Sequence, residues 1–182
     1  MAIEQLSPDH PLWPHFVAHL EQHNMAQWVL RTAAQPLPGL YLLATVVCDE
    51  CEDIAGHITL KMQRLAVPGP AETDAHPLSD PTSRPLRELF VQTFAVNEDY
   101  RRQGHGRALQ CAALDMARRL RCYQMRSWSS LDKAANYALK LSMGFAAHPA
   151  IQHTADGTPI SGVYFVKTIA YRGTPHANPH AS

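Results

Sequence analysis

The chain has 182 residues, 46% of them hydrophobic, and 16 basic side chains balance 16 acidic ones for a formal charge of zero. That length suits one domain and that apolar content a real core, which excludes bulk disorder. The missing basic surplus sets nucleic-acid binding behind other readings, the arginines at 101, 102, 107, 118, 119 and 121 notwithstanding.

Four cysteines, at 48, 51, 111 and 122, make no disulfide framework in a chain this large. The opening stretch has neither a basic region nor an apolar run, so no signal peptide is expected. No stretch reaches the roughly 20 apolar residues of a membrane span. The expectation is a reduced, cytoplasmic protein with no membrane partner.

In chain order, Leu12, Phe16 and Leu20 recur at helical spacing over 12–23, after Pro11. A second short helix is expected over 25–34, stopped by Pro36 and Pro38. The period then changes to two. Residues 40–48 and the alternating Ile58, Leu60 and Met62 predict two strands joined as a hairpin near 49–53. Residues 66–85 carry five prolines and read as a long loop, either a lid over a site or a mobile connection. A buried strand over 89–96 follows, then a helix over 104–120 with Leu109, Ala113, Met116 and Leu120 on one face. A strand over 123–128, a helix over 132–143 closed by Gly144, and a last strand over 163–169 complete the order. Residues 171–182 form a polar tail that frays, leaving one domain over 1–170. The strand-helix-strand unit at 89–128 implies a right-handed parallel crossover, hence an α/β or α+β sheet.

The stretch that bears chemistry is Arg101-Arg102-Gln103-Gly104-His105-Gly106-Arg107, between a buried strand and a helix N-terminus. Such a terminus presents unpaired N–H groups and a partial positive charge. The glycines at 104 and 106 let an anion approach the backbone. Arg101, Arg102 and Arg107 add full charges, so the site suits a pyrophosphate. Neither G-x-G-x-x-G nor G-x-x-x-x-G-K-[ST] is present. The pattern is R-x-x-G-x-G, led by a strand ending in Val96 and followed, one strand-helix unit later, by Gly144-Phe145.

This resembles the acyl-CoA signature of the GCN5-related N-acetyltransferases, closely over 86–145 and in element order throughout. The resemblance implies a mixed, splayed central sheet with helices on both faces. It implies acetyl-CoA as co-substrate with no metal. The backbone of Phe94, Ala95 and Val96 would meet the pantetheine arm. Amides at Gln103, Gly104, His105, Gly106 and Arg107 would cradle the pyrophosphate, with Arg101, Arg102 and Asn136 as further cofactor contacts. The acceptor would be a small-molecule or peptide amine, and a homodimer is one expected assembly.

The chain departs from the family where proton transfer is concerned. Family members place a tyrosine four residues before the glycine to protonate the leaving thiolate. Here that slot holds Lys140, and the usual asparagine slot holds Lys133, with Asn136 and Tyr137 one turn away. Tyr137 is the candidate acid, its alternative role being packing. Lys140, as an ammonium, is the other way to meet the thiolate or the CoA phosphates. The family's mid-strand glutamate is Gln92 here, which takes no proton. Glu88, further toward the strand start, is the candidate base acting through water, against a solvated strand-end carboxylate. His57 has a suitable intrinsic pKa.

Two other patterns have bland readings. Cys48-x-x-Cys51 lacks a second pair and sits at a hairpin tip, so two reduced thiols are expected rather than zinc. His15, His19 and His23 share one helix face, expected to be a solvated or substrate-facing surface rather than a metal site; the resemblance implies that this helix helps wall the acceptor site. The function expected is acetyl transfer to a primary amine, the alternative a non-catalytic acyl-CoA sensor or scaffold.

Overall fold

The computed structural model describes residues 1–33, 39–46, 53–67, 76–154 and 156–169. The elements run β1 (Ala2–Gln5), α1 (Trp13–Gln22), α2 (Ala26–Ala33), β2 (Leu40–Val46) and β3 (Ile54–Arg64). Then come β4 (Ala66–Val67), β5 (His76–Pro77), β6 (Arg87–Val96), a 3₁₀ turn (Glu98–Tyr100) and α3 (His105–Arg119). The chain continues with β7 (Gln124–Ser130), α4 (Ala134–Ser142), β8 (Ala146–His153) and β9 (Pro159–Thr168). Cys48, Cys51 and the 171–182 tail lie outside the described residues, as does the middle of the proline-rich stretch.

Seven strands form one sheet in the order β1-β2-β3-β6-β7-β9-β8. Every pair is antiparallel except β6 with β7, whose parallel pairing is bridged by the α3 crossover. On one face Leu109, Ala113, Met116 and Ala117 of α3 pack on Leu43, Ile58, Leu60, Leu89, Val91 and Met125. On the other, Phe16 and Leu20 of α1 and Val29 of α2 pack on Leu42, Ala44, Val46 and Ile54. With both faces covered, β3 is buried without alternation from Ile54 to Leu60.

The mixed sheet with helices on both faces is as expected, but the strand count is higher. The edge strands β1 and β8 were not anticipated. β1 is four residues, too short for a period to show. β8 carries His148, Pro149 and Gln152 on a mostly exposed edge, where no apolar alternation is required. The proline-rich stretch also holds the small β4–β5 ribbon and a bridge between Ser79 and Pro85.

Candidate active site

The parallel pairing of β6 and β7 runs only from Glu88–Gln124 to Val91–Ser127. Beyond that point the strands part. Residues 93–96 keep β3 as their one partner, and Trp128, Ser129 and Ser130 keep β9. At the point of parting β6 bulges: Thr59 pairs with Thr93 and Leu60 with Val91, which leaves Gln92 without a partner on β3. A bulge re-aims a strand and frees backbone polar groups.

The strands separate into a cleft of about 1260 Å³. One wall is Val91, Gln92, Phe94, Ala95 and Val96, the other Trp128, Ser129 and Ser130. Its mouth is Tyr100, Arg101, Arg102, Gly104, His105, Gly106 and Arg107, and α4 closes the side with Asn136, Leu139 and Lys140. The cleft lining thus brings together the residues named from the sequence as cofactor contacts, apart from Gln103, whose side chain donates to the Asp99 carbonyl at 3.0 Å.

Local chemistry shapes the mouth. Gly104 is the residue preceding α3 and takes φ of 92°, a left-handed geometry that costs a glycine little. Arg101 is held by Glu98 at 2.6 Å and by the Val96 carbonyl at 3.3 Å. Arg107 spans from α3 to α4, donating to Ser142 Oγ at 2.8 Å. His105 is buried, its ring edge-on to Tyr100 with centroids 5.9 Å apart. Burial, and secondarily the chain's N-terminal charge, lowers its pKa. Three residues lining the cleft carry buried polar atoms without a partner among the described residues: His105 Nδ1, Trp128 Nε1 and Asn136 Oδ1. Buried polar atoms seek hydrogen bonds, so a ligand rich in amides and phosphate oxygens fits this lining.

The expected acid and base fare differently. Glu88 is neither solvated nor in the cleft lining. It is 1% exposed, and its carboxylate accepts from Gln63 Nε2 (2.7 Å), Gln124 Nε2 (2.8 Å), Arg126 Nε (2.9 Å) and Arg126 Nη2 (2.5 Å). Arg126 also stacks over Phe90 and Tyr164. A carboxylate so saturated is a structural anchor, and no lone pair remains to receive a substrate proton. Tyr137 also lies outside the lining: its hydroxyl donates to the Ser129 carbonyl at 3.2 Å and its ring meets Phe165 edge-on. Burial, and secondarily the Asp132 charge, raises its pKa. Its neighbour Asn136 does face the cleft and donates to Ser129 Oγ at 3.1 Å.

The burial of Lys140 and His57 was not anticipated from the sequence. Lys140 is 1% exposed, with Nζ donating to Gln110 Oε1 of α3 at 2.8 Å and lying 4.5 Å from the centre of the Phe145 ring. Helical spacing held the clue, since residue 140 follows Asn136 by one turn on the inward face. His57 is also wholly buried, with Nδ1 3.3 Å from His19 Nε2. Burial lowers His57 to a pKa of about 3 and His19 to about 4, with the neighbouring histidines as a second cause. Both are therefore neutral core groups at pH 7. Of the histidine stripe expected to be a solvated or substrate-facing surface, His15 is exposed and His23 half-buried, whereas His19 faces inward. Among the described residues no group of three or more His, Cys, Asp or Glu is placed to hold a metal.

Comparisons with known proteins bear on this geometry. The fold is similar to Arabidopsis thaliana NAA60 in complex with acetyl-CoA (TM-score 0.68, 16% identity, 92% of this chain and 98% of that one). It is similar also to the ribosomal-protein-S18-alanine N-acetyltransferase from Escherichia coli (TM-score 0.61, 22% identity, 96% and 97%). Aminoglycoside 6'-acetyltransferase type Ii matches at a TM-score of 0.64 and 14% identity, over 95% of this chain and 100% of that one. No curated protein sequence matches the chain. A family model does, over residues 4–145, which takes in α1, the split strands, the R-x-x-G-x-G loop and Gly144-Phe145. The chain belongs to the acetyltransferase (GNAT) family.

Proposed function

We propose that this protein transfers the acetyl group of acetyl-CoA to a primary amine of a small molecule or of a peptide or protein. The observation that carries the reading is the parting of β6 from β7 after Val91 and Ser127, which opens a cleft leading to an anion-binding helix start. The free edge of β6 at Phe94, Ala95 and Val96 offers backbone donors and acceptors to the pantetheine amides, as it would to a neighbouring strand. The amides at the start of α3, with Arg102 beside them, suit the pyrophosphate.

Transfer then needs little beyond placement. A neutral amine entering from the far end attacks the thioester carbonyl, the C–S bond breaks with its electron pair leaving on sulfur, and the amine nitrogen sheds a proton. Holding the two reactants in one cleft supplies the orientation term. A backbone N–H at the bulge around Gln92 is suited to polarise the carbonyl. Two of the neighbours are named as acetyltransferases, one an N-acetyltransferase for a ribosomal-protein alanine and one for an aminoglycoside. The cleft lining does not favour one of these acceptor classes.

Melting temperature and thiol release test the reading together. Acetyl-CoA should raise the melting temperature, since it binds only the folded state. Free CoA should then accumulate only when an amine is supplied, from a panel of aminoglycosides, polyamines and peptides with free α-amino groups. A thermal shift with no amine-dependent thiol release would sink the transfer and leave a binding module.

A further inference from the structure

We propose that Lys140 is the acid that protonates the departing CoA thiolate, an inference that rests on the acetyl-transfer reading above. The residue lines the cleft from α4, yet its ammonium is withdrawn from water and, among the described residues, has one hydrogen-bond partner, Gln110 Oε1. Gln110 lies six residues into α3 from Gly104, about 9 Å along the axis at 1.5 Å per residue. The ammonium therefore sits deeper than the anion-binding mouth, alongside the path a donor takes toward the parting of β6 and β7. It is too deep to serve the pyrophosphate.

The groups around Lys140 are unsuited to a structural ion pair. From α3 come Gln110, neutral, and Arg107, which is engaged with Ser142 Oγ. From β9 comes Lys167, another cation, 5.8 Å from the centre of the same Phe145 ring and donating to the Met143 carbonyl at 2.7 Å. At the start of α4, Asp132 and Lys133 pair with each other at 2.7 Å on the surface. Among the described residues no carboxylate answers the Lys140 charge. An apolar side chain would pack at this position without the desolvation penalty that an unpaired ammonium incurs. Such a group beside a reaction cleft is suited to proton transfer.

Its acidity supports the role. Burial lowers the Lys140 pKa from 10.5 to about 7. A thiol titrates near 8.5, so an ammonium of that strength passes its proton to a thiolate downhill. The step balances. As the C–S bond breaks, its electron pair stays on sulfur, a proton moves from Nζ to sulfur, and Lys140 is left as the neutral amine. It regains a proton from solvent, or from the proton released by the acetylated nitrogen, before the next turnover. Gln110 accepts from Nζ and so fixes its position, and its own Nε2 is buried without a partner.

The test uses the full chain with CoA, Lys140→Met as an apolar replacement of similar length, and the thiolate's ultraviolet absorbance. Because Nζ loses its proton before the thiol does, wild-type kcat should fall as pH rises above 7 while the bound thiol is still protonated. With acetyl-CoA and an amine, Lys140→Met should lower kcat on the order of 10²-fold with KM for acetyl-CoA nearly unchanged. It should also remove a fall in wild-type kcat above pH 7. A wild-type kcat that shows no fall above pH 7 overturns the proposal, even if the variant does not fold. A variant with unchanged kcat, or a loss confined to KM, overturns it as well. Failure of CoA to bind the wild type at all would instead defeat the acetyl-CoA reading on which it rests.

Discussion

Gly162 of β9 lies against the indole of Trp128 on β7 so closely that a Cβ at position 162 would come within 2.6 Å of Trp128 Cζ2 and 2.5 Å of the Ser129 carbonyl. The same crowding recurs across the cleft, where a Cβ on Gly56 of β3 would meet the Ala95 carbonyl at 2.6 Å. Each arm of the split thus leans onto its outer neighbour, and in each case the neighbour is a glycine there. The opening between β6 and β7 depends on space taken from β3 and β9.

Gly162→Ala should therefore push the β7 arm back toward β6. Backbone and an indole cannot yield as a flexible tip does, so overpacking should cost about 1–3 kcal/mol. CoA affinity should fall by more than that global loss explains, because the cleft itself narrows. Calorimetric titration of CoA into Gly162→Ala, beside a surface variant matched in melting temperature, measures this. Equal affinity in the two would show that the arm's position does not depend on Gly162.

At the mouth, the two glycines play different parts. A Cβ on Gly104 would meet nothing within 4 Å, whereas one on Gly106 would press on Phe94 Cζ at 3.3 Å. Gly104→Asp should keep the fold, at about 1 kcal/mol for a left-handed non-glycine residue, and lose CoA binding as its carboxylate faces the phosphates. Gly104→Ala should retain most binding. If Gly104→Asp binds CoA like wild type, the phosphates lie elsewhere.

Glu88 and Arg126 illustrate what a buried ion pair does here. Glu88→Gln leaves the Arg126 guanidinium half-buried without its counter-charge, which should destabilise the fold by about 3–5 kcal/mol. Where the variant is still folded, kcat should stay within a few-fold of wild type and keep its pH profile. A fall in kcat on the order of 10²-fold, with the acid limb of the profile lost, would reinstate Glu88 as the base.

The anion loop and the parallel crossover were legible because each is written in local chemistry: two glycines, three arginines and a strand that runs into an amphipathic helix. The edge strands were not, since β1 is short and β8 is exposed, and neither needs an apolar pattern. Glu88 could not be placed from sequence, because its burial depends on Gln63, Gln124 and Arg126 arriving from two other strands. Tyr137 and Lys140 are three residues apart on one helix face, so spacing alone could not say which reaches the cleft. The bulge at Gln92 is a register event between β6 and β3 that no single strand encodes.

The histidine pair predicts how the protein responds to acid. His57 and His19 are 0% and 6% exposed, with pKa values lowered by burial to about 3 and about 4, whereas both titrate near 6.5 once the chain unfolds. Their contribution to stability is complete above pH 6.5. As pH falls below that value the unfolded chain takes up protons that the folded chain refuses, so stability declines until the folded pKa values are reached. At 1.36 kcal/mol per pKa unit the pair together is worth on the order of 5 kcal/mol by pH 4, comparable to a whole domain's net stability. The exposed carboxylates Asp80, Asp132 and Asp156, held low chiefly by side-chain hydrogen bonds, titrate below this window. Circular dichroism from pH 7.5 to 4 should therefore show cooperative unfolding that begins while Asp80, Asp132 and Asp156 are still ionised. His57→Leu removes the more depressed group and should move the acid midpoint down by about half a pH unit or more, at some cost in stability at pH 7.5 where His19 loses its partner. An acid midpoint unmoved by His57→Leu would mean that the buried imidazoles already share protons or solvent in the folded state, and that acid acts on this protein elsewhere.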